Sequence, residues 1–182
     1  MQISDLSDRE EWLDTIASWH HIEWLKGRIS ATEASSHSSL TKRVRVLRGH
    51  LGCEPIPSTF VAELNGKPIG SASVVFYRFT QKQRQSEWLT NVYVCPEYRN
   101  QGIGKALIER ICQHAAANKV KELRLYTLDK RNFYAGLGWK DIGTGIVQKN
   151  EVAILAKQIV GRCKVTHISE SGIRRQVQKG VA

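Results

Sequence analysis

Residues 88–115 hold the feature that most restricts how this chain folds. An apolar run, Trp88-Leu89-Thr90-Asn91-Val92-Tyr93-Val94-Cys95, meets Pro96, turns through Arg99-Asn100-Gln101-Gly102-Ile103-Gly104 and opens at once into an amphipathic helix. On that helix Ile103, Leu107, Ile111 and Ala115 share one stripe, with Ile108 and Cys112 beside it. Strand, glycine turn and helix N-terminus together form a place for an anion. The first-turn N–H groups of a helix lack partners, and the helix dipole favours negative charge beside them.

The flanking sequence supplies further elements. Ser7-Asp8-Arg9-Glu10 has the S-x-x-E form of a capping box and predicts a helix start. Trp12, Ile16, Trp19 or His20, and Glu23 follow at helical spacing, with Gly27 as the stop. A second helix is expected from near Thr32 to about Gly49, with Leu40, Val44 and Leu47 on one face, before Pro55 and Pro57 break the pattern. From Thr59 the period changes to two. Residues 60–64, Asn65-Gly66 and 68–77 read as a β-hairpin, since a type I′ turn needs positive φ at both central positions. A basic loop, 80–86, leads to the strand at 88–95. Glu122 to Thr127 alternates as a strand should, Lys130 to Ala135 is a short helix ending in Gly136-Leu137-Gly138, and residues 139–148 and 152–159 form a closing strand pair. That order implies an α+β fold on a mixed sheet. Residues 1–160 are expected as one domain and 161–182 as a basic tail.

Composition narrows the function classes. The chain has 182 residues, 41% of them hydrophobic, enough for a sizeable core. No stretch approaches the roughly 18–20 apolar residues of a membrane span, and Met1 to Leu6 lacks the basic flank and apolar core of a signal peptide. Cys53, Cys95, Cys112 and Cys163 show neither CxxC nor zinc-type spacing, which fits free thiols in a reducing compartment and predicts a cytoplasmic protein. The formal net charge of +10 is clustered at 42–48, at 78–84 and beyond 161. Such clusters suit a solvated surface, nucleic acid, an anionic cofactor or an acidic substrate.

The glycine turn fails two nucleotide motifs. A P-loop needs an earlier glycine and a hydroxyl after Lys105, and a dinucleotide fingerprint needs a small residue where Leu107 stands. What remains is R-x-x-G-x-G on Arg99, Gly102 and Gly104. Residues 92–108 resemble the acetyl-CoA site of the GNAT superfamily of N-acetyltransferases. Asn132-Phe133-Tyr134-Ala135-Gly136-Leu137-Gly138-Trp139 is similar to that family's second motif, about 30 residues further on. The resemblance covers roughly residues 58–158 and implies a mixed, mostly antiparallel sheet of six to seven strands flanked by about four helices.

It also implies a site. Main-chain groups of Val92, Tyr93 and Val94 would meet the pantetheine arm of acetyl-CoA, with the Val94 N–H as oxyanion donor. Backbone N–H groups of Asn100, Gln101, Gly102, Ile103, Gly104 and Lys105 would bind the pyrophosphate, with charge from Arg99 and Lys105. Tyr134 would protonate the departing thiolate. Thr127 stands where the family often has Asn against the cofactor, and offers only a hydroxyl.

A carboxylate, a histidine or a water chain should take the amine's proton, and Glu87 is the candidate base. By count, though, the family's position falls on Trp88, and one residue flips the face of a strand. No metal is expected, because His20, His21 and Glu23 lack metalloprotease spacing. The leading expectation is direct acetyl transfer to a primary amine, a small amine or a protein N-terminus or lysine, with an acidic acceptor if the basic loops border the cleft. The alternatives are a nucleic-acid- or ribosome-associated protein, or a non-catalytic acyl-CoA sensor. Membrane association is not expected, and the chain is expected to be a monomer or homodimer.

Overall fold

The computed structural model describes residues 1–26, 33–80, 84–147 and 149–159. The elements in chain order are β1 (Gln2–Asp5), α1 (Leu13–Lys26), α2 (Glu33–Arg48), β2 (Ser58–Leu64), β3 (Lys67–Tyr77), β4 (Ser86–Val94), α3 (Ile103–Ala117), β5 (Glu122–Thr127), α4 (Arg131–Gly136), β6 (Lys140–Val147) and β7 (Asn150–Gln158). All seven strands join one sheet in the order β1-β2-β3-β4-β5-β7-β6. Every pair is antiparallel except β4 with β5. The expected α+β architecture is therefore present, with seven strands and four helices among the described residues.

The hairpin forms where Asn-Gly demands it. Asn65 and Gly66 have φ of 52° and 72°, the left-handed pair of a type I′ turn. At the N-terminus the chain departs from expectation. The predicted capping box at Ser7–Glu10 does not form, because Asp5 accepts from the Ser7 N–H (2.9 Å) and hydroxyl (2.9 Å). Two single 3-10 turns follow, and α1 starts only at Leu13. Gln2–Asp5, short and weakly patterned, becomes an edge strand because β2 offers it a free ladder from Phe60 to Glu63. Gly27, Thr32, Gln148 and the tail from 161 lie outside the described residues.

The sheet divides two cores. On one face α3 buries Ile103, Leu107, Ile108, Ile111 and Ala115 against Phe60, Ala62, Ala72, Val74, Leu89, Leu123 and Leu125. On the other, α1 and α2 bury Leu13, Ile16, Ala17 and Leu47 against Leu6 and Val61, with Leu40 and Val44 packed alongside. The alternation Phe60 and Ala62 against Val61 is the period-two rule acting within one strand. Among the described residues no helix is long and apolar enough to cross a membrane.

One glycine fixes how closely β3 and β4 approach. A Cβ on Gly70 would lie 2.7 Å from the Tyr93 carbonyl oxygen and 3.3 Å from Leu107 Cδ1. The first obstacle is backbone in a paired strand, so it cannot move aside cheaply. Gly70→Ala is predicted to destabilise the fold by about 1–3 kcal/mol, the usual scale of overpacking. Denaturant unfolding reads this as a lowered midpoint at unchanged slope, and an unchanged midpoint would contradict the stated clash.

Candidate active site

β4 carries the site because it is bent. Its pairing with β3 runs Leu89 to Val74 and Thr90 to Ser73, then jumps to Tyr93 with Ser71 and Val94 with Gly70. Three β4 residues thus span what two cover on β3, a β-bulge centred on Asn91, whose φ is 53°. Asn is among the few side chains that tolerate this left-handed region. A bulge turns its strand and ends regular pairing. Accordingly β4 pairs with β5 only at Trp88 and Arg124.

Beyond the bulge the β5-side edge of β4 is open. The Cys95 N–H donates to the Ile69 carbonyl at 2.9 Å, so it faces β3. Alternation then turns the N–H groups of Val94 and Val92 toward the open edge, and that of Tyr93 back to β3. The Val94 carbonyl accepts from Arg99 Nε at 2.9 Å. Arg99 therefore ties the turn to the strand end, and its guanidinium also lies 5.9 Å from the Tyr93 ring centre. The Tyr93 ring stacks on Trp19 of α1 at 5.0 Å, on the face opposite Val92 and Val94, which pack against the α3 core.

The turn into α3 presents unpaired donors. Asn100 and Gly102 have φ of 61° and 80°. The first α3 hydrogen bond runs from the Ala106 N–H to the Gly102 carbonyl at 3.0 Å, leaving the N–H groups of Ile103, Gly104 and Lys105 ahead of the helical ladder. Alternating handedness along such a turn points successive N–H groups into one concavity. Around it, the Ile103 side chain is buried in the core, Gln101 Nε2 donates to the Glu97 carbonyl at 3.3 Å, and Lys105 Nζ lies 3.9 Å from Glu109. A Cβ on Gly104 would meet only Val94 Cγ2, at 3.7 Å. The protein's own packing therefore does not require glycine there.

β4, α3 and β5 form a parallel crossover, so the C-terminal ends of both strands lie at one end of the sheet. Tyr134 follows β5 at that end and packs, like Val92 and Val94, on the α3 core. Its short helix is anchored on both sides. Lys157 Nζ donates to the Leu137 carbonyl at 2.6 Å, and the Trp139 N–H donates to the Tyr134 carbonyl at 3.1 Å. Burial, and then Asp129, pushes the Tyr134 phenol up to about 12. Thr127 is buried, and its hydroxyl oxygen accepts from the Lys130 N–H at 3.1 Å, shaping the loop into that helix.

Glu87 stands near the start of β4, seven residues before Val94 at its end. It pairs with Phe76, and alternation sets it on the face opposite Trp88, whose ring joins Tyr77, Phe79 and Tyr126. Burial raises the Cys95 thiol, with Glu97 adding to the effect, so it stays protonated. His20 and His21 diverge: His20 Nε2 lies 3.0 Å from Ser71 Oγ and His21 Nδ1 lies 3.2 Å from Ser39 Oγ.

Sequence reasoning missed the bulge at Asn91 and the buried polar set beneath α1 and α2. Asn within an apolar β run was the available signal for the first. In the second, His50 Nδ1 lies 2.8 Å from Thr59 Oγ1, which lies 2.8 Å from Ser73 Oγ.

Residues 55–141 match the model of the acetyltransferase (GNAT) domain. The chain is similar to thialysine N-epsilon-acetyltransferase of Bos taurus, 29% identical over 126 residues that make up 60% of this chain and 74% of that protein. Its fold is similar to that of aminoglycoside 6'-acetyltransferase type Ii, with a TM-score of 0.66 at 19% identity, covering 89% of this chain and 99% of that one. It is also similar in fold to a Salmonella typhimurium acetyltransferase structure holding its cofactor acetyl-CoA, with a TM-score of 0.63 at 16% identity, covering 88% and 94%. The sheet and its split edge define an acetyltransferase fold. The chain carries an acetyltransferase (GNAT) domain over residues 55–141.

The buried histidines give the fold a pH dependence of known sign. Burial, helped by Arg43 and His50, lowers His20 from 6.5 to about 3, and burial lowers His50 from 6.5 to about 4 against the opposing pull of Asp5. Both are neutral when folded, whereas in the unfolded chain they take up protons near 6.5. Their stabilising contribution is thus full above pH 6.5 and is lost as pH falls toward 4 and then 3. Within that window each histidine accounts for roughly 1.4 kcal/mol per pH unit. Unfolding at pH 7 and pH 5 should show a smaller acid loss in His50→Gln than in the parent chain. Equal losses would exclude His50 as a source.

Proposed function

We propose that the chain transfers an acetyl group from acetyl-CoA directly to a primary amine. The observation that carries this reading is the open β4 edge after the Asn91 bulge, ending in a helix N-terminus whose N–H groups precede the helical ladder. The residues present fit that donor. A strand-like amide arm adds to the free edge at Val92 and Val94. A pyrophosphate sits on the N–H groups of residues 100–105, approached over Gly102 and Gly104, where the open space beside Gly104 leaves room for it. Arg99 and Lys105 contribute positive charge at the rim. Acetyl-CoA supplies the thioester, whose acyl carbon the amine nitrogen attacks.

The chain's own groups then divide the work. The Val94 N–H, turned to the open edge, holds the developing oxyanion. Tyr134 gives its phenolic proton to the sulfur as the carbon–sulfur bond breaks. Burial raises the Cys95 thiol, which disfavours the thiolate that an acyl-enzyme would need. Thr127, with its oxygen already accepting from Lys130, retains one O–H to donate. Glu87 lies at the far end of β4 from Val94, so the proton that the attacking amine loses passes to water at the open strand edge. The acceptor is read as a small amine or a protein N-terminus or lysine.

Release of free thiol from acetyl-CoA across a panel of primary amines tests the reading, and the absence of any thermal shift with CoA would sink it. Tyr134→Phe should lower kcat by about 10²-fold or more while the CoA dissociation constant stays within about twofold. Undiminished turnover would remove Tyr134 from the mechanism. Since the phenol titrates only at about 12, the alkaline limb of kcat should show no loss from this group below about pH 10. Gly104→Ala should leave the unfolding midpoint unchanged and weaken CoA binding about tenfold or more. Unchanged affinity would place the pyrophosphate elsewhere.

A further inference from the structure

On the face opposite α3, a cavity of about 280 Å³ lies between α2 and the β4 bulge. One stripe of α2 and the turn after it lines it: Ser39, Lys42, Arg43, Val46, Leu47 and His50, at the 3-1-3-1-3 steps of a single helix face. His20 of α1 and Asn91 at the bulge complete the wall. Among the described residues the wall includes two cations and no carboxylate. Its histidines each have one ring nitrogen engaged with the sheet, His20 with Ser71 and His50 with Thr59, and burial keeps both rings neutral. Among the described lining residues the positive charge is therefore that of Lys42 and Arg43. Burial lowers Arg43 from its ordinary value, which marks a guanidinium partly stripped of water.

A partly dehydrated guanidinium in a concave site attracts a planar or tetrahedral oxyanion, the acceptor that charge-assisted N–H donors suit best. The cavity volume suits a carboxylate or phosphate with a few carbons, not a folded chain. Asn91 lines the cavity and Val94 lies three residues further along the same strand, a span of up to about 10 Å at the usual rise per residue. Arg45 and Arg48, also on α2, are exposed and do not line the cavity.

We propose that this cavity holds the anionic group of the acceptor, so that the substrates are small, elongated amines bearing a carboxylate or phosphate at the end away from the reacting nitrogen. The proposal rests on the acetyl-transfer reading and specifies its acceptor.

The test compares 6-aminohexanoate and 6-aminohexyl phosphate with hexylamine as acceptors, by free-thiol release at fixed acetyl-CoA. At least one anionic amine should exceed hexylamine in kcat/KM by about tenfold or more, chiefly through KM, and the two anions separate carboxylate from phosphate recognition. Arg43→Gln should bring that ratio close to one. Lys42→Gln, at an exposed position, should lower it without a folding risk, and Arg45→Gln should preserve it. A ratio near one in the parent chain overturns the proposal, as does a ratio unchanged in both Arg43→Gln and Lys42→Gln. Acetylation of other amines with none of these three also overturns it. A thermal shift with acetyl-CoA but no anion preference removes this proposal alone, whereas no shift removes the acetyl-transfer reading and this one with it.

Discussion

The left-handed backbone of Asn91 is the constraint on which the site depends. Without the extra residue β4 would stay in register with both neighbours, and its edge would be consumed by β5. With it, β4 remains zipped to β3 through Val94 and Gly70 yet leaves β5 after Trp88. The close approach over Gly70 and the contact with Leu107 hold the bent half of the strand against the sheet and α3. A free main-chain edge is normally a liability that invites unwanted pairing. Here it is short, tied by Arg99 at the Val94 carbonyl, and placed beside a helix N-terminus, features that suit the proposed ligand better than another strand.

Much of this was legible in the chain because it is local. The Asn65-Gly66 hairpin, the α3 stripe and the short helix before Gly138 are written in spacings of two or four residues, and each formed within a residue or two of its expected limits. The Arg99–Gly104 turn was legible for the same reason, since its chemistry lies in backbone conformation that glycine and its neighbours specify. β1 was not, because a four-residue edge strand carries too little pattern and exists only through its partner β2. The capping box at Ser7 misled because Asp5, two residues earlier, competes for the same N–H and wins. Glu87 shows the limit on the site side. Its distance from the motif was readable, but its face depends on strand phase, and Trp88 occupies the face turned to α1 and α2.

What escaped the sequence is non-local. His20, His50, Thr59, Ser71 and Ser73 are scattered over more than fifty positions and carry no motif. They meet because β2 and β3 turn their odd-numbered residues toward α1 and α2, where a wholly apolar layer would have been the simpler solution. The structure instead buries paired hydroxyls and neutral imidazoles. Such groups are tolerated because each is hydrogen-bonded, and unpaired they would cost several times what a bond returns.

That polar layer also explains how one sheet separates two kinds of chemistry. On the α3 face the donors are backbone N–H groups, whose fixed positions suit a ligand that must be held in one geometry. On the α1 and α2 face, neutral histidines let the cavity remain concave and polar without adding to the charge of Lys42 and Arg43. Were both imidazoles protonated, their charge would add to that of Lys42 and Arg43 around the same cavity. Keeping them neutral confines the charge of the described lining to Lys42 and Arg43 of α2. The two faces meet at Asn91, so the residue that frees the strand edge on one side also forms the wall of the cavity on the other.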